Sequence, residues 1–156
     1  MCNGDTAWPT TESGSGILVD HLIALSGAHQ ADHITVAGRN TLDVLLGLCR
    51  RGFLHATCRT AVDGPHAGDD AAASLWILNA ENAAEMRTLI AMCGRDLRSD
   101  GTLIINLDFL PSVEKSAPLR DLLIKCGFVP VQQIHATNRD LLLCARKGRL
   151  QQTLAA

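Results

Sequence analysis

The chain has 156 residues, a mass of 16.7 kDa and a net charge of −2, which fits one domain of ordinary size. Two separate cores would each fall near the lower size limit for stability, so this length excludes a two-domain enzyme. The 47% hydrophobic content excludes a disordered chain, while the lack of basic excess and the 3% aromatic content argue against binding to nucleic acid.

Cysteine spacing and terminal composition bear on the cellular compartment. No two cysteines form a C-x-x-C pair, so a zinc ribbon or thioredoxin-type motif is not expected and no metal is assigned. Residues 1–16 are polar and glycine-rich, without the apolar core of a signal peptide. No apolar run approaches the roughly 18 residues of a membrane span. We therefore expect a reduced, soluble, cytoplasmic protein that contacts neither nucleic acid nor membrane.

Three parts are predicted along the chain. Residues 1–16 are expected to form a flexible N-terminal arm, residues 17–147 a single α/β domain, and residues 148–156 a C-terminal tail. No internal repeat or low-complexity tract is visible within the domain.

The first half of the domain alternates helix and strand. Apolar residues at helical spacing predict a helix over residues 17–28, and His33–Ala37 is predicted as the first strand. The helix that follows has one predicted apolar face, which consists of Leu42, Leu45, Leu46, Cys49 and Phe53. Gly52 is placed to end this helix, and His55–Thr60 follows as a short second strand.

The alternation continues in the second half. Ser74–Leu78 and Thr102–Leu107 are almost wholly apolar, as expected for strands covered on both faces. Between these strands, an N-x-x-E capping box at Asn82 predicts a helix over Ala83–Arg98, and Asp100-Gly101 is the predicted turn.

A helix and a hairpin complete the predicted fold. The helix begins near Pro118 and ends at Gly127, and the hairpin consists of the strands Phe128–Ala136 and Leu141–Ala145. Pro130 must lie near a strand start or on a sheet edge, because it cannot donate a backbone hydrogen bond. The whole pattern predicts a three-layer Rossmann-like α/β fold, with a mostly parallel sheet and a C-terminal antiparallel hairpin.

Four segments carry a resemblance to a known family. They are ITVAGRNTLDVLLGLCRRGF, LWILNAEN, LRSDGTLIINL and LLIKCGFVPVQQIHATNRDLLLCARK. In order they resemble the first strand–loop–helix, the fourth strand, the approach to the fifth strand, and the last helix and hairpin of class I S-adenosylmethionine (SAM)-dependent methyltransferases. The resemblance implies a methyltransferase-like domain over residues 17–147, SAM as cofactor, and a methyl acceptor that the sequence does not identify.

The first loop departs from the family's acidic-x-G-x-G-x-G pattern. Val36 stands at the acidic position and Gly38 keeps the first glycine, whereas Asn40 and Leu42 replace the second and third. A loop at the carboxyl end of a parallel strand lines the ligand crevice, and the helix start beyond it favours an anion. The segment is therefore either a ligand loop or a plain turn in which Asn40 or Thr41 caps the helix.

The middle of the domain departs from the family as well. The second strand ends near Cys58-Arg59-Thr60, where the family usually has a carboxylate for the ribose, and the next carboxylate is Asp63. Arg59 is interpreted either as a ligand of a 2′-phosphate, as in NADP-binding Rossmann proteins, or as a solvated surface residue. Thr60 and Ser74 are too close for the usual helix and third strand between them, so we expect a shortened middle.

The resemblance places a cofactor crevice at the carboxyl ends of the strands. Its candidate cofactor-binding residues are Gly38, Arg39, Asn40, Thr41, Arg59, Asp63, Asn79 and Ala80. Asn79 is alternatively interpreted as a helix cap, a role that its residue type favours. No catalytic residue is assigned, because methyl transfer depends mainly on aligning the methyl group with its acceptor.

Two further groups of reactive side chains are predicted to be structural. A solvated polar loop, rather than a metal site, is expected for Asp63, His66, Asp69 and Asp70. Packing as small hydrophobes on helix faces is expected for Cys49, Cys93 and Cys126.

Three functions are compatible with these observations. The first is a SAM-dependent methyltransferase-like protein that binds SAM or a related nucleoside weakly. The second is a catalytically inactive pseudo-enzyme that serves as an interaction module, for example as a homodimer. The third is an NAD(P)-binding Rossmann domain, which Arg59 favours and the terminal hairpin disfavours.

Overall fold

A computed structural model describes residues 12–60, 73–107, 116–136 and 139–146. Within these residues it contains four helices, α1 (Glu12–Ser26), α2 (Thr41–Arg50), α3 (Ala83–Asp96) and α4 (Ser116–Lys125). The strands are β1 (Ile34–Gly38), β2 (Ala56–Arg59), β3 (Ala73–Asn79), β4 (Leu97–Asn106), β5 (Phe128–Ala136) and β6 (Arg139–Arg146).

The strands form one sheet in the order β2-β1-β3-β4-β6-β5. Strands β1 to β4 pair in parallel, and β6 pairs antiparallel with both β4 and β5. The predicted Rossmann-like architecture, with its mostly parallel sheet and terminal antiparallel hairpin, is therefore confirmed. The segment predicted to be shortened, between Thr60 and Ser74, lies largely outside the described residues.

Two hydrophobic cores cover the two faces of the sheet. One core joins α3 and α4 to the sheet, with Trp76 and Phe128 as its largest fully buried side chains. The other core joins α1 and α2 to the opposite face through Leu22, Leu48 and neighbouring strand residues. The sheet and the helices packed on its two faces form the three layers. None of the helices in the described part of the chain combines the length and hydropathy that a bilayer crossing requires.

Several element boundaries differ from the sequence-based expectation. Helix α1 begins at Glu12, inside the predicted arm, and α3 ends at Asp96 rather than at Arg98. The predicted turn at Asp100-Gly101 lies within β4, which begins at Leu97 directly after α3. The register between β3 and β4 shifts near this start, so an irregular strand segment replaces the turn. Pro130 lies on the edge strand β5, as predicted.

Helix α2 is rotated relative to its predicted orientation. Leu42 and Leu46 were expected in the core, but 62% and 44% of their surfaces are exposed. Leu48 is fully buried instead. The cause is the contact with α1: Gly47 lies against Val19 so closely that a Cβ atom on Gly47 would be 2.8 Å from its Cγ2.

An ion pair supports the same rotation of α2. Arg51 donates from Nε to Asp20 Oδ1 at 2.7 Å, and from Nη1 to the Gly47 carbonyl oxygen at 2.9 Å. The hydrogen bond from Arg51 lowers the pKa of the Asp20 carboxyl group. Cys49, which was also predicted to be buried on this helix, is exposed as a consequence of the rotation.

The rotation can be tested by two substitutions of the same kind in one helix. Leu48→Ala removes a fully buried side chain and is expected to lower the free energy of unfolding by about 2–5 kcal/mol. Leu42→Ala acts on an exposed position and is expected to change it by less than about 0.5 kcal/mol. Urea denaturation measures both values, and equal losses would contradict the observed orientation of α2.

Candidate functional site

A cavity of about 240 Å³ lies at the carboxyl ends of β1, β3 and β4, beside the first turn of α2. Its polar lining consists of Asn40, Asp43, Asn79 and Asn106. Its apolar lining comes from α1, α2 and the strands, and includes Leu18, Leu22, Val44, Ile77, Ile104 and Leu141. We call this space the carboxyl-edge cavity. Its polar groups at one end and apolar walls suit a small ligand that is itself amphipathic.

Hydrogen bonds join the first loop to the end of β3. The Arg39 backbone N–H donates to the Asn79 carbonyl oxygen at 2.7 Å. In return, Asn79 Nδ2 donates to the Arg39 carbonyl oxygen at 2.9 Å. Asn106 Nδ2, at the end of β4, donates to Asn79 Oδ1 at 3.3 Å. The ends of three neighbouring strands are thus held together through the one side chain of Asn79.

Gly38 permits this close approach of the loop to β3. Its φ is +102°, a conformation that L side chains rarely adopt. A Cβ atom at this position would collide with the Asn79 carbonyl oxygen. The single glycine kept from the family pattern is therefore required for contact between two parts of the chain.

An ion pair lies next to this loop. Arg39 Nη2 pairs with Glu81 Oε2, and 60% and 48% of the two side chains are exposed. The pair connects the loop after β1 to the segment before α3. Asn40 follows with a left-handed backbone, φ 52° and ψ 31°, and its side chain makes no capping hydrogen bond to α2. Asn40 therefore lines the cavity without serving as the cap that its position suggested.

The predicted cofactor residues fall into two groups. Gly38, Arg39, Asn40 and Asn79 lie together at the carboxyl edge. Thr41 is the first residue of α2 and is half-buried beside them.

The remaining predicted residues are elsewhere. Ala80 is buried in the core between the sheet and α3. Asp63 lies outside the described residues, as do His66, Asp69 and Asp70.

Arg59 lies at the end of β2, beside Ala37 of β1, and does not line the carboxyl-edge cavity. Its side chain is buried, forms an ion pair with Asp96 at the end of α3, and lies over the Trp76 ring at 6.0 Å from the centroid. It lines a second cavity, of about 360 Å³, together with His33 and His55, whose rings are tilted by 34° with centroids 4.8 Å apart. The interpretation of Arg59 as a solvated surface residue is wrong, because burial, the carboxylate of Asp96 and the indole face all hold its guanidinium inside the protein.

The interpretation of Asn79 as a helix cap is wrong. The cap of α3 is Asn82, whose side-chain oxygen accepts a hydrogen bond from the Glu85 backbone N–H at 2.9 Å. Sequence reasoning also missed Asn106 and Asp43 as cavity residues. For Asn106 a signal was present, since the buried strands β3 and β4 both end in asparagine.

The cysteines differ in environment more than their spacing indicated. Cys93 and Cys144 are buried, Cys126 is partly buried, and Cys49 and Cys58 are exposed. Burial raises the pKa of the Cys144 thiol to about 12, although the charge of Arg120 acts in the opposite direction. Cys144 is therefore a neutral packing residue at physiological pH.

Gly38→Ala tests whether the site depends on the contact with Asn79. We expect a loss of about 3–5 kcal/mol in the free energy of unfolding, because both the positive φ and the collision oppose the new Cβ atom. Gly27→Ala is the matched control: its φ is +65° with nothing within 4 Å, so only about 1–2 kcal/mol is expected. If urea denaturation showed the same loss in the free energy of unfolding for both variants, the close approach at Gly38 would not contribute to stability.

The buried thiol predicts a dependence of stability on pH. The pKa of the Cys144 thiol is 9.0 in the unfolded chain and about 12 in the folded protein. As the pH rises, the unfolded chain therefore loses this proton first. This contribution to stability is complete below pH 9.0 and declines as the pH rises toward about 12. Denaturant titrations above pH 9.0 should show a smaller decline for Cys144→Ala than for the unchanged chain, and parallel declines would contradict the assignment.

No family model and no curated protein matches the sequence. Among solved structures, a ribosomal protein L11 methylase from Lactobacillus delbrueckii subsp. bulgaricus has a TM-score of 0.64 at 14% identity, covering 83% of this chain and 77% of that one. A precorrin-6y C5,15-methyltransferase from Geobacter metallireducens has a TM-score of 0.57 at 11% identity, covering 83% and 87%.

A third solved structure gives the same result. It is a SAM-dependent O-methyltransferase from Thermotoga maritima, with a TM-score of 0.58 at 11% identity, covering 82% of this chain and 64% of that one. The chain has a methyltransferase-like Rossmann fold. At such low identities the similarity establishes the fold alone, and the function depends on the residues of the site.

The residues at the carboxyl edge fit one part of SAM better than another. Asn40, Asp43, Asn79 and Asn106 offer donors and acceptors of the kind that an ammonium and carboxylate group would use. The cavity of about 240 Å³ is smaller than the roughly 300 Å³ at which pockets for drug-sized molecules begin. At the end of β2, the described residues place the buried Arg59 where a ribose-binding carboxylate was expected. The cavity therefore suits the amino-acid moiety of SAM better than its ribose.

Proposed function

We propose that this chain is a methyltransferase-like protein that binds SAM or a related nucleoside weakly, with the amino-acid moiety in the carboxyl-edge cavity. The observation that carries the proposal is the convergence of Asn40, Asn79 and Asn106 with Asp43 at the carboxyl ends of three parallel strands. In open α/β sheets, ligands bind at this edge. The similarity to methyltransferase structures supports SAM as the ligand class.

Each residue has a defined part in this proposal. Asp43 is the acceptor for an ammonium group, and the Asn40 side chain, which no cap hydrogen bond engages, is available to a carboxylate. Asn79 and Asn106 hold the ends of β3 and β4 in place. SAM, when bound, supplies an electrophilic methyl group, and the protein contributes orientation rather than acid–base chemistry. The methyl acceptor stays unassigned.

A second candidate function is a pseudo-enzyme that keeps the fold as an interaction module. The observation that favours it is that the loop is bonded to the sheet: the Arg39 backbone N–H and carbonyl oxygen both bond to Asn79, and the Arg39 side chain pairs with Glu81. A loop that bonds to its own sheet leaves fewer backbone groups for a cofactor. The buried Arg59 points in the same direction, because its ion pair with Asp96 engages the guanidinium that a 2′-phosphate would need. This engagement weakens the NAD(P) alternative.

Calorimetric titration of the full chain separates these functions. We expect SAM and S-adenosylhomocysteine to bind, adenosine to bind more weakly because it lacks the amino-acid moiety, and NADP to give no heat. Asn40→Gly removes the cavity side chain while tolerating the left-handed backbone, and should weaken nucleoside binding by about three- to tenfold.

Thr57→Ala is the matched control for this titration. Thr57 lines the second cavity, away from the proposed ligand, so its substitution should leave binding unchanged. Equal effects of Asn40→Gly and Thr57→Ala would contradict the assignment of the carboxyl-edge cavity. Absence of heat with all the nucleosides would leave the pseudo-enzyme as the supported function.

A further inference from the structure

The carboxyl-edge cavity has a polar mouth and an apolar interior. Its polar lining residues, which all lie at the carboxyl ends of strands or in the first turn of α2, are exposed or half-buried. Its apolar lining belongs to the core that joins α1 and α2 to the sheet, and most of it is at most 6% exposed: Leu18, Leu22, Ile77, Ile104 and Leu141. A ligand that enters from the carboxyl edge therefore meets polar groups first and apolar side chains last.

The amino-acid moiety of SAM uses the mouth of this cavity but not its interior. The moiety ends in an ammonium and a carboxylate group, which suit the polar residues, and its other end carries a charged sulfur and a nucleoside. A nucleoside is too large and too polar for buried leucine and isoleucine walls around about 240 Å³, so it would have to lie outside the mouth. The apolar interior therefore points to a ligand that SAM does not represent.

Volume and wall chemistry limit the size of such a ligand. A cavity of about 240 Å³ equals the liquid volume of about eight water molecules, which corresponds to a molecule of roughly eight to ten non-hydrogen atoms. Apolar walls favour an apolar group, because that group leaves water when it enters. The ligand is therefore small, and the end that enters first is aliphatic.

The charge at the mouth determines the head group. Asp43 is the one charged residue among the described residues that line the cavity, and its carboxylate forms no ion pair with another described residue. A cationic group on the ligand complements it. Asn40 lies three positions earlier, and its side chain makes no capping hydrogen bond to α2. Its amide N–H can donate to a carboxylate at the end of α2 that favours an anion.

We propose that the carboxyl-edge cavity binds a free α-amino acid with an apolar side chain, of the size of leucine or methionine. The ammonium group lies at Asp43, the carboxylate lies at Asn40, and the side chain extends into the interior toward Ile77 and Ile104. The inference rests on the proposed function for the place of the head group, but it requires no nucleoside. It gives the apolar interior a ligand that matches it in size, charge and hydrophobicity.

Calorimetric titration of the full chain with amino acids and truncated analogues tests each part of this ligand. We expect L-leucine and L-methionine to bind, and L-alanine to bind at least about tenfold more weakly, because each buried methylene group strengthens binding roughly fourfold. Isocaproic acid lacks the ammonium group of leucine, and isoamylamine lacks its carboxylate. Each should bind about tenfold more weakly than leucine, since a hydrogen bond to a charged group is lost.

Substitution of Asp43 tests the polar mouth. Asp43→Asn keeps the shape of the side chain and removes its charge, so leucine should bind about tenfold more weakly. Asp121→Asn is the matched control, because it makes the same change at an exposed position of α4. It should leave leucine binding unchanged. Equal effects of the two substitutions would overturn the assignment of the head group.

Substitution of Val44 tests the apolar interior. Val44 is half-buried in the cavity wall, and Val44→Phe should occupy the space of the ligand side chain and weaken leucine binding at least about tenfold. Binding of S-adenosylhomocysteine should be unchanged by Val44→Phe, because its nucleoside lies outside the mouth. Val131→Phe is the matched control, since Val131 is 56% exposed on β5. Circular dichroism of each variant confirms that it is folded.

The outcomes separate this inference from the proposed function. Binding of leucine or methionine without binding of S-adenosylhomocysteine would support the inference and remove SAM as a ligand. Binding of S-adenosylhomocysteine with no heat from millimolar leucine or methionine would overturn the inference and keep the proposed function. The inference would also be overturned if alanine bound as tightly as leucine, or if Val44→Phe and Val131→Phe had the same effect on leucine binding.

Discussion

The contact between the loop after β1 and the end of β3 determines how the carboxyl edge of this protein is built. Gly38 lets the chain approach the Asn79 carbonyl oxygen, and two hydrogen bonds between Arg39 and Asn79 then fix the loop. Because Asn79 also accepts from Asn106, the positions of three strand ends depend on one side chain. The cavity beside α2, with its polar lining, is a consequence of this arrangement.

The same contact explains why the fold alone does not decide the function. In a methyltransferase-like fold the loop after β1 is where a cofactor would meet backbone groups, and here those groups bond within the protein. The cavity that is left is small and lies toward α1 rather than toward the end of β2. A ligand held there through its amino-acid moiety agrees with both facts, and so does the alternative of a pseudo-enzyme that keeps the fold as an interaction module.

Much of the fold could be predicted from the sequence, because hydrophobic periodicity and turn residues identify strands and helices locally. The orientation of α2 could not, since it depends on the contact between Gly47 and Val19, which are far apart in the chain. The role of Asn79 was missed for the same reason: an asparagine at a strand end is a good cap in isolation, and its partner Arg39 is known only from the folded sheet. The burial of Arg59 likewise requires Asp96 and Trp76 to be in place.

If the carboxyl-edge cavity is the ligand site, the side-chain amides of its asparagines report on binding directly. The most direct measurement is a nitrogen–proton correlation spectrum of the labelled chain with and without S-adenosylhomocysteine. We predict that the side-chain signals of Asn40, Asn79 and Asn106 shift on addition of the nucleoside, while that of the α3 cap Asn82 does not. Shifts confined to residues of the second cavity, or no shifts at all, would contradict it.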